Sequence, residues 1–169
     1  MNRVLSFTLV ALYALFLGSQ ITEGCLLVPY WQSLSTNEFY SFYEDLGPAI
    51  NQFYTVLTIM AVLITLGVSV YCLFRNRKAF IYSLTSSVFS ALVILLFYIY
   101  FKGVNQSFFQ EALKPSELKN ELSIWAFWHW VRVMCEFLSL VFLVITLLIL
   151  DNPVKAQAYH KQVLNIGST

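Results

Sequence analysis

Residues 124–150 read IWAFWHWVRVMCEFLSLVFLVITLLIL. The stretch is long enough to cross a bilayer, for which about 20 apolar residues at about 1.5 Å each suffice. Its second half is almost pure hydrocarbon, whereas its first half carries His129, Arg132 and Glu136. At about 100° per residue these three, with Trp125 before and Ser139 after, fall within roughly 80° of one another on one helix face. Ionisable groups at membrane depth are costly and normally face a bundle interior, a partner charge or water. The stripe therefore predicts a helix that packs against others and presents polar groups to them.

The composition agrees. Of 169 residues, 59% are hydrophobic and 11% charged, and the mean hydropathy is +0.69. A soluble domain has about 45–50% apolar and about 25% charged residues, so an integral membrane protein is expected. A formal net charge of +1 carries no nucleic-acid footprint. Cys25, Cys72 and Cys135 form neither a CxxC motif nor a framework of even count, and read as buried small hydrophobes. Phosphate-binding glycine motifs, H-E-x-x-H and G-x-S-x-G are all absent from the sequence.

Three further apolar stretches precede this one. Residues 4–28 follow Asn2-Arg3 and read as a retained first span rather than a cleaved signal, because the apolar run continues through Cys25-Leu26-Leu27-Val28. Pro29 is expected to end it. Ser35 and Glu38 have capping-box spacing for a short interfacial helix reaching Leu46, which Gly47-Pro48 should stop. The second and third spans are expected at 50–74 and 79–101, joined by the basic turn Arg75-Asn76-Arg77-Lys78. Pro115-Ser116, with Ser116 as N-cap, should start a fourth helix over 116–150. Asp151-Asn152-Pro153 is expected to end it, so that residues 1–153 form the membrane domain and 154–169 a polar cytoplasmic tail. Arg3, the Arg75–Lys78 turn, Lys155 and Lys161 lie at one end. The first loop has Glu38, Glu44 and Asp45 and no Lys or Arg. The positive-inside rule then places both termini in the cytoplasm, in a plasma (inner) membrane. The expected fold is all-α, a four-transmembrane-helix bundle.

With that topology Glu23 lies in the same outer leaflet as the stripe, Gln20 is one turn inward on its face, and Asn105 stands at the outer end of the third span. An Arg132–Glu136 pair at i, i+4 is sterically natural, and Glu23 supplies a second carboxylate. An outer-leaflet pocket is expected, with Glu23, His129 and Arg132 as candidate catalytic groups and Gln20, Asn105, Trp125 and Glu136 as ligand-binding groups. Taken singly, Arg132 reads first as a snorkelling cation and the tryptophans as an interfacial belt; the gathering of Glu23, His129, Arg132 and Glu136 at one depth turns the reading to a shared buried network. Glu23, His129 and Glu136 provide three metal-type ligands, but Arg132 between them would repel a cation, so no metal is assigned.

Two groups of residues carry a family resemblance: Glu23 followed by Val28-Pro29 and Trp31, and Asn105 followed by Trp125, His129 and Arg132 in a W-x-x-x-[HN]-x-x-R helix. In these the chain resembles the anthrone oxygenase-like family of small four-helix membrane proteins, whose bacterial members are mostly of unknown function. The resemblance implies oxidation of a polycyclic anthrone to an anthraquinone by dioxygen, as in some fungal members, without metal or flavin. His129 or Glu23 would abstract a proton, and Arg132 would stabilise the phenolate-like anion. The expected ligand is a small aromatic, quinone-like or lipid molecule. The alternative is a non-catalytic membrane subunit whose buried charges fix helix packing and whose loops bind a partner.

Overall fold

The computed structural model describes residues 2–166, with side chains for 2–151. Among the described residues the chain is all helix, in four long elements: α1 (Arg3–Ser33), α2 (Thr36–Arg75), α3 (Arg77–Phe109) and α4 (Pro115–Ile166). All four are long and apolar enough to cross a membrane. Their exposed faces are hydrocarbon, with Phe7, Leu26, Leu63, Phe74 and Ile99 all largely uncovered. Such faces suit a lipid solvent, not water.

The helices form an up-and-down bundle in which each packs on two neighbours. The α3–α4 contact is the most extensive, followed by α2–α3, and α1 lies against α4 and α2. Buried serines explain the close α3–α4 seam. Ser86 Oγ donates to the Ser139 carbonyl at 2.8 Å and Ser139 Oγ returns the bond to the Ser86 carbonyl at 2.8 Å. Small side chains let two backbones approach, and their hydroxyls bond across the gap. A third link, Ser69–Ser87 at 2.8 Å, ties α2 to α3. The α2–α3 turn is set by Asn76, which leaves the helix with extended backbone and whose side chain accepts from the N–H groups of Lys78 and Ala79.

Three prolines depart from expectation. Pro29 does not end α1; the helix widens over Glu23–Leu27 into π-helical turns, in which Val28 N–H reaches back to the Glu23 carbonyl. Regular helix then restarts with Pro29 in its first turn, where its missing N–H costs little. Ser35 and Glu38 form the expected capping box, but Gly47-Pro48 does not stop the helix. The interfacial helix and second span are one element of 40 residues. Glu44 and Pro48 are exposed, so solvent can take the carbonyl that Pro48 leaves free. Meanwhile Phe39, Tyr43 and Gly47 are held against Phe108 and Phe109. Nor does Pro153 end α4, which continues to Ile166; proline's fixed φ suits a helix, and its cost is local. The expected tail is thus helical over 154–166, and its last residues, 167–169, lie outside the described ones. Pro115 does open α4, at its first position and one residue before the expected start, so Ser116 lies inside the helix and is not its N-cap. There Glu117 accepts from the Lys114 N–H at 2.9 Å.

Two apolar clusters fill the bundle. One, built on Tyr13, Phe16, Ala61, Val68, Cys72 and Leu143, sits toward the chain termini. The other, built on Trp31, Phe39, Tyr43, Phe101, Phe108 and Trp125, sits toward the α1–α2 and α3–α4 connections. Between them lies a polar layer. Cys72 is buried as expected, whereas Cys25 is exposed on α1 and Cys135 is half-buried.

Candidate functional site

The stripe on α4 faces inward throughout: Trp125, His129, Arg132, Glu136 and Ser139 are all buried. Across from it, α1 contributes Gln20 and Glu23, also buried. Two local features bring the helices together. Gly24 packs directly on α4, where a Cβ would stand 2.9 Å from His129 Nε2 and 2.9 Å from Trp130 Cζ2. The wide turn beginning at Glu23 also changes the local hydrogen-bond register, and the Gln20 carbonyl takes His129 Nε2 at 2.9 Å.

That bond defines the imidazole. A carbonyl only accepts, so Nε2 carries the hydrogen and Nδ1 is an acceptor. Arg132 Nη2 uses it, at 2.8 Å. The same nitrogen lies 2.7 Å from Gln20 Oε1 and 3.0 Å from Glu23 Oε2. Three acceptors thus surround a nitrogen with two hydrogens. The guanidinium lies 4.7 Å from the Phe101 ring centroid and 5.9 Å from that of Trp125, within cation–π range. Trp125 stacks on His129 at an interplanar angle of 9° and donates through Nε1 to Asn105 Oδ1 at 3.1 Å. Phe101 belongs to a second wide turn, Phe97–Phe101 of α3, so π-helical backbone flanks Arg132 on two sides. Such turns commonly mark functional sites.

Arg132 pairs with Glu23 and not with Glu136. Glu136 is fully buried with both carboxyl oxygens unpartnered, and the fully buried Tyr13 hydroxyl also lacks a partner. Tyr13 lies near Ser139, Ser90 and Glu136 but closes no hydrogen bond with them.

A cavity of about 230 Å³ opens beside the pair. Of the residues predicted for the site, Glu23, Asn105, Trp125 and Arg132 line it, whereas Gln20, His129 and Glu136 do not. Gln20 and His129 stand behind Arg132 and hold it. The remaining wall comes from Trp31, Tyr43 and a strip of α2 containing Asn51, Tyr54, Thr55 and Thr58, facing Val93, Ile94, Phe97 and Tyr98 of α3. The α2 strip was missed from sequence. Its signal was present, since Asn51, Thr55 and Thr58 recur at i, i+4 and i+7 in an otherwise apolar span. No group of three or more His, Cys, Asp or Glu side chains is arranged to hold a metal among the described residues. No protein-family model, curated protein or solved structure matches this chain.

Proposed function

We propose that this membrane protein takes a small aromatic, quinone-like or lipid molecule into the cavity beside Arg132, in the manner of the anthrone oxygenase-like proteins it resembles. The orientation we propose with it follows the basic Arg75–Lys78 turn: both termini in the cytoplasm, the cavity in the outer leaflet of the plasma (inner) membrane. One observation carries the reading. A desolvated Arg132–Glu23 pair borders a cavity of about 230 Å³ whose other walls are mainly aromatic and aliphatic, with Asn51, Thr55, Thr58 and Asn105 as the remaining polar groups. Ligand sites have this character, mostly apolar with a few converging polar groups. For scale, a dry cavity of about 150 Å³ accepts benzene, so a flat molecule larger than one ring fits.

If the site oxidises an anthrone, the roles follow from position. Glu23 lines the cavity and is the base that takes the C–H proton, while Arg132 stabilises the oxyanion of the resulting carbanion–phenolate. That anion forms a C–O bond with dioxygen, and the resulting peroxide takes the proton back from Glu23 to become the hydroperoxide. Loss of water from the hydroperoxide, which breaks the O–O bond and removes the second hydrogen, gives the quinone. His129 is a positioning residue, fixing Arg132 through Nδ1.

The test is saturable quenching of intrinsic tryptophan fluorescence by an anthrone in purified protein, with oxygen consumption measured alongside. Wild type should bind and accelerate oxidation. Arg132→Gln and Glu23→Gln should lose both while remaining folded by circular dichroism. Absence of saturable quenching by wild type would remove the reading. The second reading, a helix-locking subunit, draws on the exhaustive use of Arg132 Nη2 between α1 and α4. It expects the two variants to fail in folding and wild type to bind nothing.

A further inference from the structure

Glu136 is the one ionisable group of the inward stripe that the cavity and its arginine leave unused. It is fully buried, both carboxyl oxygens lack a partner, and it does not line the cavity beside Arg132. The fully buried hydroxyl of Tyr13 is likewise unpartnered and lies near it. The charged or titratable groups around Glu136 are Arg132 and Cys135 on its own helix, Glu23 and Tyr13 on α1, and Tyr54 on α2. From α3 comes the hydroxyl of Ser90, near Tyr13.

Charge balance constrains this layer. Among the described residues, the buried acidic and basic side chains are Glu23, His129, Arg132 and Glu136. His129 is neutral, since its Nε2–H faces the Gln20 carbonyl and its Nδ1 accepts from Arg132. Two carboxyls therefore stand against one guanidinium. With both ionised, the layer would carry a net negative charge away from water, and a buried ion without compensation neutralises instead.

The hydrogen bonds decide which carboxyl keeps its charge. Glu23 Oε2 accepts from Arg132 Nη2 at 3.0 Å, a charge-assisted bond that favours the ionised form. Glu136 receives no donor, so nothing there stabilises a carboxylate. A neutral acid suits the place better, because it is donor and acceptor at once, as is the Tyr13 hydroxyl beside it.

We propose that Glu136 is a proton-binding site, a neutral carboxylic acid holding the one proton that balances the Arg132 layer. Arg132 sets the occupancy: one guanidinium keeps one of the two carboxyls ionised, and the proton goes to the carboxyl outside the ion pair. The site is complete without a ligand in the cavity, so it stands apart from the ligand-binding reading above. Loss of Glu23 should transfer the ionised role to Glu136, restoring the balance of charge although not the 3.0 Å contact.

The test is infrared spectroscopy of purified protein at neutral pH in dodecyl maltoside, a detergent without a carbonyl. A protonated carboxyl has a C=O stretch separate from the amide and carboxylate bands, and the stretch moves down in D2O. The acidic side chains other than Glu23 and Glu136 are all at least partly exposed to water and should not contribute to it. Wild type should show the band at the intensity of one carboxyl per chain, and Glu136→Gln should abolish it. Glu23→Gln should abolish it too, because the remaining carboxyl then balances Arg132. Arg132→Gln should double it, with both carboxyls neutral. The amide band of the same spectra reports whether the helices are intact. No band in wild type, or a band that survives in Glu136→Gln, overturns the assignment of the proton to Glu136. A band that survives in Glu23→Gln, or stays single in Arg132→Gln, overturns the charge balance. Glu136→Gln keeps the side chain's volume and removes no hydrogen bond, so wild type and this variant decide the proposal even where the other two lose their helices.

Discussion

Arg132 and Glu136 sit one turn apart on the same face of α4, yet the arginine has three acceptors around one nitrogen and the carboxyl has no partner. Their substitutions should therefore behave in opposite ways. Removing either member of the Arg132–Glu23 pair strands a buried charge, and Arg132→Met or Glu23→Gln should each cost roughly 3–5 kcal/mol. The double variant should cost distinctly less than the sum, a difference that a double-mutant cycle in SDS unfolding reads directly. Additive costs would mean the pair is not desolvated. Glu136→Met exchanges an unpartnered carboxyl for hydrocarbon of similar reach, and should stabilise the bundle by about 1–3 kcal/mol in the same assay. A loss of stability would show that Glu136 has partners in the working protein.

At the scale of elements, the wide turns of α1 and α3 and the buried Gly24 decide where Arg132 ends up. Gly24→Ala places a methyl within 3.0 Å of His129 and Trp130 ring atoms, and His129 is fully enclosed. Overpacking of this kind costs about 1–3 kcal/mol. Because His129 must shift, the His129–Gln20 and His129–Arg132 bonds should loosen as well. Ligand quenching should therefore fall further in Gly24→Ala than in a control such as Gly18→Ala, where a Cβ meets nothing within 4 Å. Pro48 makes a second element-scale test. Since α2 already runs through it, Pro48→Ala should restore one backbone bond and stabilise α2 without changing topology; were Pro48 a true terminator, the same change would alter protease access to residues 44–50.

For the whole molecule, the arrangement to be tested is orientation. A cysteine-free protein given single cysteines at Ser35 or Ser116 should label with an impermeant maleimide in intact cells, and one at Asn76 should not. The reverse pattern would invert the bundle and place the cavity in the inner leaflet. The Arg3–Asp151 contact at the terminal end, 3.1 Å long with Arg3 64% exposed, should contribute little to stability. Asp151→Asn should change it by less than about 1 kcal/mol.

What the chain determined by itself is the part governed by transfer to lipid and by local periodicity. Four apolar stretches, the inward stripe Trp125–His129–Arg132–Glu136–Ser139, the Ser35–Glu38 capping box and the Asn76 break each follow from a few neighbouring residues. The proline rule, also local, failed at Pro29, Pro48 and Pro153: α1 absorbs the missing N–H of Pro29 by widening into a π turn, and at Pro48 the packing of Phe39, Tyr43 and Gly47 on α3 carries the helix through. Tertiary structure alone chose the partner of Arg132. Glu136 is four residues away and Glu23 is 109 away, but Gly24 brings α1 close enough for the distant carboxylate to take the contact. The cavity is likewise a product of packing. Its walls come from α1, α2, α3 and α4, and the space they leave depends on how four surfaces meet.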